Sequence, residues 1–107
     1  MRIQIKPLSV NEAWQGKRFK TPLYKSYQRD LLLMLPKVKI EFKGDLRVDI
    51  IFGFSNKGSD IDNPLKPLID VLQKKYKFND NQIKELNVKK EIVKKGNEFF
   101  EVSINQI

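Results

Sequence analysis

The chain contains no cysteine and no histidine. The first absence excludes a disulfide framework, a thiolate zinc site and a cysteine nucleophile. The second removes the commonest general base and the usual imidazole metal ligand. Any chemistry must therefore rest on Asp, Glu, Lys, Tyr, Ser or Thr, and any bound metal must be held by oxygen, which selects hard ions such as Mg²⁺, Mn²⁺ or Ca²⁺. Long hydrophobic runs are also missing. The longest, Leu31 to Leu35, is far too short to span a bilayer, and the opening Met1-Arg2-Ile3-Gln4-Ile5-Lys6 is charged and alternating, unlike a signal peptide. No membrane partner is expected, and a soluble, cytoplasmic location is. Acidic residues are scarce relative to basic ones: 13 Asp and Glu against 21 Lys and Arg, a net charge of +8 over 107 residues. That excess favours a polyanionic partner, because each phosphate neutralised releases counterions. The length suits one domain spanning residues 1–107.

What is present reads as a mixture of strands and helices. Arg2 to Lys6 alternates as a half-buried strand and ends at Pro7. Residues 8–21 lack periodicity and read as a loop. Thr21-Pro22 is a helix start, with a hydroxyl able to cap and a proline suited to the first turn. Leu23, Tyr27, Leu31 and Met34 then mark one helical face as far as Pro36. Val38, Ile40 and Phe42 suggest a strand, Gly44-Asp45 a turn, and Leu46, Val48, Ile50, Phe52 and Phe54 the clearest strand of the chain. A second helix is expected after Asp62 or Asn63 as cap, with Leu65, Leu68, Ile69 and Leu72 buried and Lys74, Lys75 and Lys77 at its end. Residues 86–94 and 98–104 read as two strands of a hairpin turning at Lys95-Gly96-Asn97. The order β, loop, α, β, β, α, β, β implies an α+β (mixed α/β) domain with a partly antiparallel sheet.

The acidic residues cluster where chemistry is plausible. Asp60 and Asp62 fall between the strongest strand and a helix. If residues 60–62 are extended, both carboxylates face one side and can share a divalent cation. Asp80 is a third carboxylate from a separate loop. Three carboxylates without histidine suffice for metal-assisted phosphodiester hydrolysis. Taken alone, Asp-x-Asp-Asn is also ordinary capping and turn chemistry. An EF-hand is excluded, because the required Gly and terminal Glu do not follow. A helix over residues 64–74 is about 16 Å long, and six extended residues cover at most roughly 20 Å. Asp80 therefore either doubles back to the start of the helix or approaches from a partner subunit.

The run Asp60-Ile61-Asp62-Asn63-Pro64-Leu65-Lys66, then Asp70-Val71-Leu72, then Asn79-Asp80-Asn81-Gln82-Ile83, resembles the RusA family of crossover junction endodeoxyribonucleases. Asn11, Trp14-Gln15-Gly16, Arg18-Phe19-Lys20-Thr21, Tyr24 and Tyr27 are similar to the opening segment of its phage-type members. The resemblance implies a homodimeric, Mg²⁺- or Mn²⁺-dependent nuclease that resolves four-way (Holliday) junctions in DNA recombination and repair by paired nicks. It implies catalytic, metal-holding roles for Asp60, Asp62 and Asp80, and a phosphate-facing role for Lys66. Asp70 and Asn63 fall where outer support for the site is expected. One position departs from the pattern: Asn79 stands where the family has an acid.

Trp14, Lys17, Arg18 and Lys20 are candidate DNA contacts, the aromatic stacking on unpaired bases and the cations holding phosphates. For Trp14, core packing stays open as an alternative. Phe19 is expected to pack inward and anchor its loop. Two rival readings remain: a nuclease for other branched DNA, and a basic nucleic-acid-binding protein without catalysis, in which Asp60 and Asp62 serve only as caps.

Overall fold

A computed structural model describes residues 1–15, 19–39 and 41–107. Its elements are β1 (Arg2–Ile3), α1 (Val10–Ala13), β2 (Trp14–Gln15), β3 (Phe19–Lys20), α2 (Pro22–Met34), β4 (Leu46–Phe54), α3 (Leu65–Tyr76), a short 3₁₀ turn (Asp80–Gln82), β5 (Ile83–Ile92) and β6 (Phe99–Gln106). The architecture is α+β, as expected. β1, β6, β4 and β5 form one sheet in that order, and β2 and β3 form a small ribbon. No described helix is long and apolar enough to cross a membrane.

The alternation along β4 does what its sequence requires. Leu46, Val48, Ile50 and Phe52 are essentially inaccessible and pack with Tyr24, Leu31, Leu68 and Leu72 from the two long helices. Arg47 and Asp49 face the other way and pair at 3.3 Å, and Asn87 donates to Asp49 at 2.8 Å. One face of the sheet thus carries the helices, and the other is largely polar, with Ile51 and a buried Phe99 as apolar exceptions. α3 carries the chain from β4 to β5, so these two strands run parallel, as a helical crossover demands.

The hairpin expected between residues 86–94 and 98–104 does not form. β5 pairs in parallel with β4, β6 pairs antiparallel with its opposite edge, and β4 lies between them. A strand this apolar is central, so both its edges are filled. β6, with Phe99, Phe100 and Val102 buried, takes the inner position, and β5, mostly exposed and rich in Lys and Glu, forms the rim.

Among the described residues, no strand forms where Val38, Ile40 and Phe42 suggested one. Ile40 lies outside the described residues, and its described neighbours 36–39 and 41–45 are irregular. Side-chain amides satisfy this backbone instead of a sheet ladder. Gln82 donates to Phe42 O at 3.2 Å and Gly44 O at 2.9 Å, while Gln106 donates to Glu41 O and Lys43 O. Phe42 packs edge-on against Tyr76 and Phe78.

α2 begins as expected, with Thr21 Oγ1 accepting from the Tyr24 amide and Pro22 in the first turn. Its buried face is rotated from the expected stripe. Tyr24, Tyr27, Gln28 and Leu31 are inside, whereas Leu23 and Met34 are exposed. α3 buries Leu68, Ile69 and Leu72 as expected, with Val71 and Tyr76. Its cap differs. The helix starts after Pro64 without a side-chain cap, so neither Asp62 nor Asn63 fills that role.

Candidate active site

Residues 60–64 enter α3 through successive turns: the Asn63 amide donates to Asp60 O at 3.3 Å and the Leu65 amide to Asp62 O at 3.1 Å. The segment is therefore turned, not extended as the same-side argument for Asp60 and Asp62 assumed. The turn is pinned from outside by the Val10 amide, which donates to Asn63 O at 2.8 Å. Asn63 Nδ2 lies 3.4 Å from Asp60 Oδ2. Asp60 and Asn63 border a cleft of about 470 Å³, shared with Glu12, Ser55 and Glu98. Asp60 and Asp62 are both exposed, and neither forms an ion pair with a described residue.

Lys66 follows in the first turn of α3 and begins a polar row at four-residue spacing, Lys66–Asp70–Lys74. Its ammonium stands 3.0 Å from Asp70 Oδ1 and 3.9 Å from Asp80 Oδ2. Asp80 therefore approaches within its own chain. The return is built locally: α3 ends with Lys77 in the left-handed region at φ 57°, and Phe78 is buried. The Asp80 amide then donates to Gln73 Oε1 at 2.8 Å. Asn79 caps the turn, its side chain accepting from the Asn81 amide while Gln82 Oε1 accepts from the Asn79 amide. An asparagine at position 79 is thus engaged in local structure.

These contacts join Asp80, Lys66 and Asp70 in one network and Asp60 with Asn63 in another, adjacent in sequence at the start of α3. Among the described residues, no three acidic side chains are gathered closely enough to surround one ion. As donors, the carboxylates at 60, 62 and 80 match a hard divalent cation, since all are oxygen and all are exposed.

Tyr24 ties the network to α2. Its hydroxyl donates to Asp70 Oδ2 at 3.3 Å, and burial, together with the Asp70 charge, pushes its pKa up to about 12. A phenol whose folded pKa is raised contributes stability that is full below its unfolded value near 10 and is lost as pH climbs toward 12. Tyr27, also buried, is shifted upward for the same reason, with the neighbouring Tyr24 adding to it. Tyr24→Phe is expected to flatten part of the alkaline loss of stability above pH 10, as read from denaturant midpoints across that range. An unchanged alkaline limb would contradict the assignment.

The DNA-contact candidates separate sharply. Lys17 and Arg18 lie outside the described residues. Trp14 and Lys20 are cross-strand partners in the β2–β3 ribbon and turn toward α2. Trp14 is half-buried and meets the Tyr24 ring edge-on at 5.5 Å, so it braces the core. Phe19, expected inside, is 72% exposed. Strand alternation explains the reversal, since Trp14 and Lys20 occupy the inward side and Phe19 and Gln15 the outward one.

A family model described as endodeoxyribonuclease RusA matches residues 6–105. The chain belongs to the RusA family. The match covers both acidic segments, the lysine between them and all of the long strands except its last residue, so the resemblance read from the motifs holds across the RusA domain. This RusA chain is accordingly a nuclease of an endodeoxyribonuclease family, with DNA as its partner. No curated protein sequence matches it.

Three side chains of this RusA site had no role assigned from the sequence: Gln28 and Gln73, and Tyr24, which entered only as part of the resemblance. Gln73 is seven residues beyond Lys66 and so on the same helical face. Tyr24 and Gln28 are four apart, on the face α2 buries. Those spacings were the available signals.

Proposed function

We propose that this protein is a divalent-metal-dependent endonuclease that resolves four-way DNA junctions as a homodimer. The observation that carries the reading is the return of Asp80 to Lys66 in the first turn of α3, immediately after Asp60 and Asp62. Family membership supplies the chemistry class. Asp60, Asp62 and Asp80 are the residues that would hold Mg²⁺ or Mn²⁺, which when bound supplies Lewis acidity toward the phosphodiester. Lys66 offers its ammonium to the phosphate oxygens as charge develops on them. Asp70, itself held by Tyr24, positions that lysine, and Asn63 orients Asp60. Two copies related by a two-fold axis present two such sites, matching paired nicks in a two-fold junction. The reading places the protein in the cytoplasm, at DNA undergoing recombination or repair.

The test is cleavage of a synthetic four-way junction beside a linear duplex and a flap of equal length, in Mg²⁺, Mn²⁺, Ca²⁺ and EDTA. Paired nicks in the junction with Mg²⁺ or Mn²⁺, and none in EDTA, are expected. Equal cutting of all three substrates would remove junction selectivity, and no cutting of any with either ion would leave only DNA binding. Sedimentation of the free protein checks the dimer.

A further inference from the structure

The cleft beside Asp60 carries more chemistry than the acidic site uses. Its volume of about 470 Å³ falls in the range of sites that enclose a small ligand. Phe54, Pro7 and Pro64 line it and are themselves buried, so part of its wall is apolar. Two polar pairs belong to the same wall. One is Asp60 with Asn63. The other is Ser55 with the half-buried Glu98. The Ser55 hydroxyl donates to Glu98 Oε2 at 2.9 Å, and the Gly96 amide donates to Glu98 Oε1 at 2.7 Å. Each carboxylate oxygen can accept two hydrogen bonds. One acceptor position therefore stays open on each, in a carboxylate already fixed in place. Lys6 and Lys95 line the cleft as well, and neither they nor Glu98 form an ion pair with a described residue. An apolar wall, a fixed pair of acceptors and two free cations thus share one cleft with Asp60.

We propose that this cleft seats one unstacked nucleobase next to the scissile phosphate, and that Glu98 selects guanine there. A nucleotide divides its chemistry as the cleft does, with apolar ring faces, a hydrogen-bonding edge and an anionic phosphate. The ring faces suit Phe54 and the prolines, and the phosphate suits Lys6 and Lys95. The edge decides the base. An ionised carboxylate only accepts, and guanine alone presents two adjacent donors, the ring N–H and the exocyclic amino group, one for each oxygen of Glu98. Cytosine and adenine offer one amino group beside an acceptor nitrogen, and the thymine N–H stands between two carbonyls that the carboxylate repels. A base in a duplex hides its edge in a pair and its faces in the stack, and a branch point releases it at low cost. The proposal rests on the nuclease reading and names the part of the substrate that the site takes.

Single-turnover cleavage of four-way junctions by the full-length protein in Mg²⁺ tests it. The cut in an unmodified junction fixes the scissile phosphate. Each of the four bases, hypoxanthine or an abasic residue is then placed on either side of it. At one of these positions guanine should be cut at least about 10-fold faster than the other bases or the abasic residue. Hypoxanthine, which lacks only the amino group, should lose most of that advantage. Glu98→Gln replaces two acceptors by one acceptor and a donor group. It should cut guanine and hypoxanthine junctions alike and match the wild type on the abasic one. Ser55→Ala, which releases one side of the carboxylate, should narrow the preference with Glu98 intact. Equal cutting of guanine and abasic junctions by the wild type means that no base is seated and overturns the proposal. A guanine preference that survives Glu98→Gln does the same, as does a uniform slowing of every junction in that variant, which marks a structural role. In all three cases the nuclease reading stands. No cutting of any junction overturns that reading, and the proposal falls with it.

Discussion

Asp62→Asn is expected to reduce junction cleavage by roughly 10²–10³-fold while leaving junction binding in EDTA almost intact. The carboxylate is exposed and unpaired with any described cation, at the end of a turn closed by backbone hydrogen bonds. Its loss therefore costs the fold little. Amide replaces carboxylate at nearly constant shape and removes one negative charge from the set that would bind the ion. Single-turnover cleavage at rising Mg²⁺ separates the effects: a higher Mg²⁺ requirement marks a ligand, whereas a uniform loss at saturating Mg²⁺ marks a role in the chemical step. Cleavage at the wild-type rate would eliminate Asp62 from the site. The comparison with Asp70→Asn is instructive. Asp70 contacts Lys66 and Tyr24 and lies partly buried, so its loss should lower stability as well as rate.

Gly53→Ala should be among the most destabilising single-methyl changes in the chain, at roughly 2–3 kcal/mol. Gly53 sits opposite Phe99 where β4 and β6 pair. On the sheet face away from the helices, the Phe99 ring lies directly over it, occupying the space a Cβ would need. Arg2 closes the stack, its guanidinium 3.8 Å from the ring centre, so Phe99 is almost fully buried on a face otherwise open to solvent. The ring has no free side to move into, and β4 is the strand through which the whole sheet is joined. A small domain has only about 5–15 kcal/mol to lose, so the shift should be plain in denaturant midpoints. Pairing Gly53→Ala with Phe99→Leu should recover part of the loss, since a smaller side chain leaves room for the methyl. If Gly53→Ala alone melts like the wild type, the ring is not held as described.

Much of the site was legible because its signals are local. Asp60, Asp62, Lys66 and Asp70 fall within eleven residues, and helical spacing alone places Lys66 beside Asp70. Asp80 is different. Its distance along the chain is compatible with either its own subunit or a partner, and only the left-handed Lys77, the buried Phe78 and the Gln73 contact turn it back. Phe19 was expected inside and Trp14 was left open between core and DNA because both are aromatic in an aperiodic stretch, and inward facing is decided by the ribbon's pairing register.

The sequence by itself determined the α+β class, the central strand Leu46–Phe54, the start of α2 at Thr21-Pro22, the apolar stripe of α3 and the carboxylate-and-lysine motif. All follow from periodicity, capping chemistry and spacing over short distances. Tertiary structure alone decided which strands became neighbours. Residues 83–92 and 99–106 have the form of a hairpin, but each gains more beside the apolar central strand than beside the other. It also decided that residues 41–44 would be held by the amides of Gln82 and Gln106, and that Lys20 would reach Gln28. Contacts across 40 to 65 residues, such as Gln82 to Phe42 and Gln106 to Glu41, leave no local pattern. Their free energy is realised only once the elements have packed.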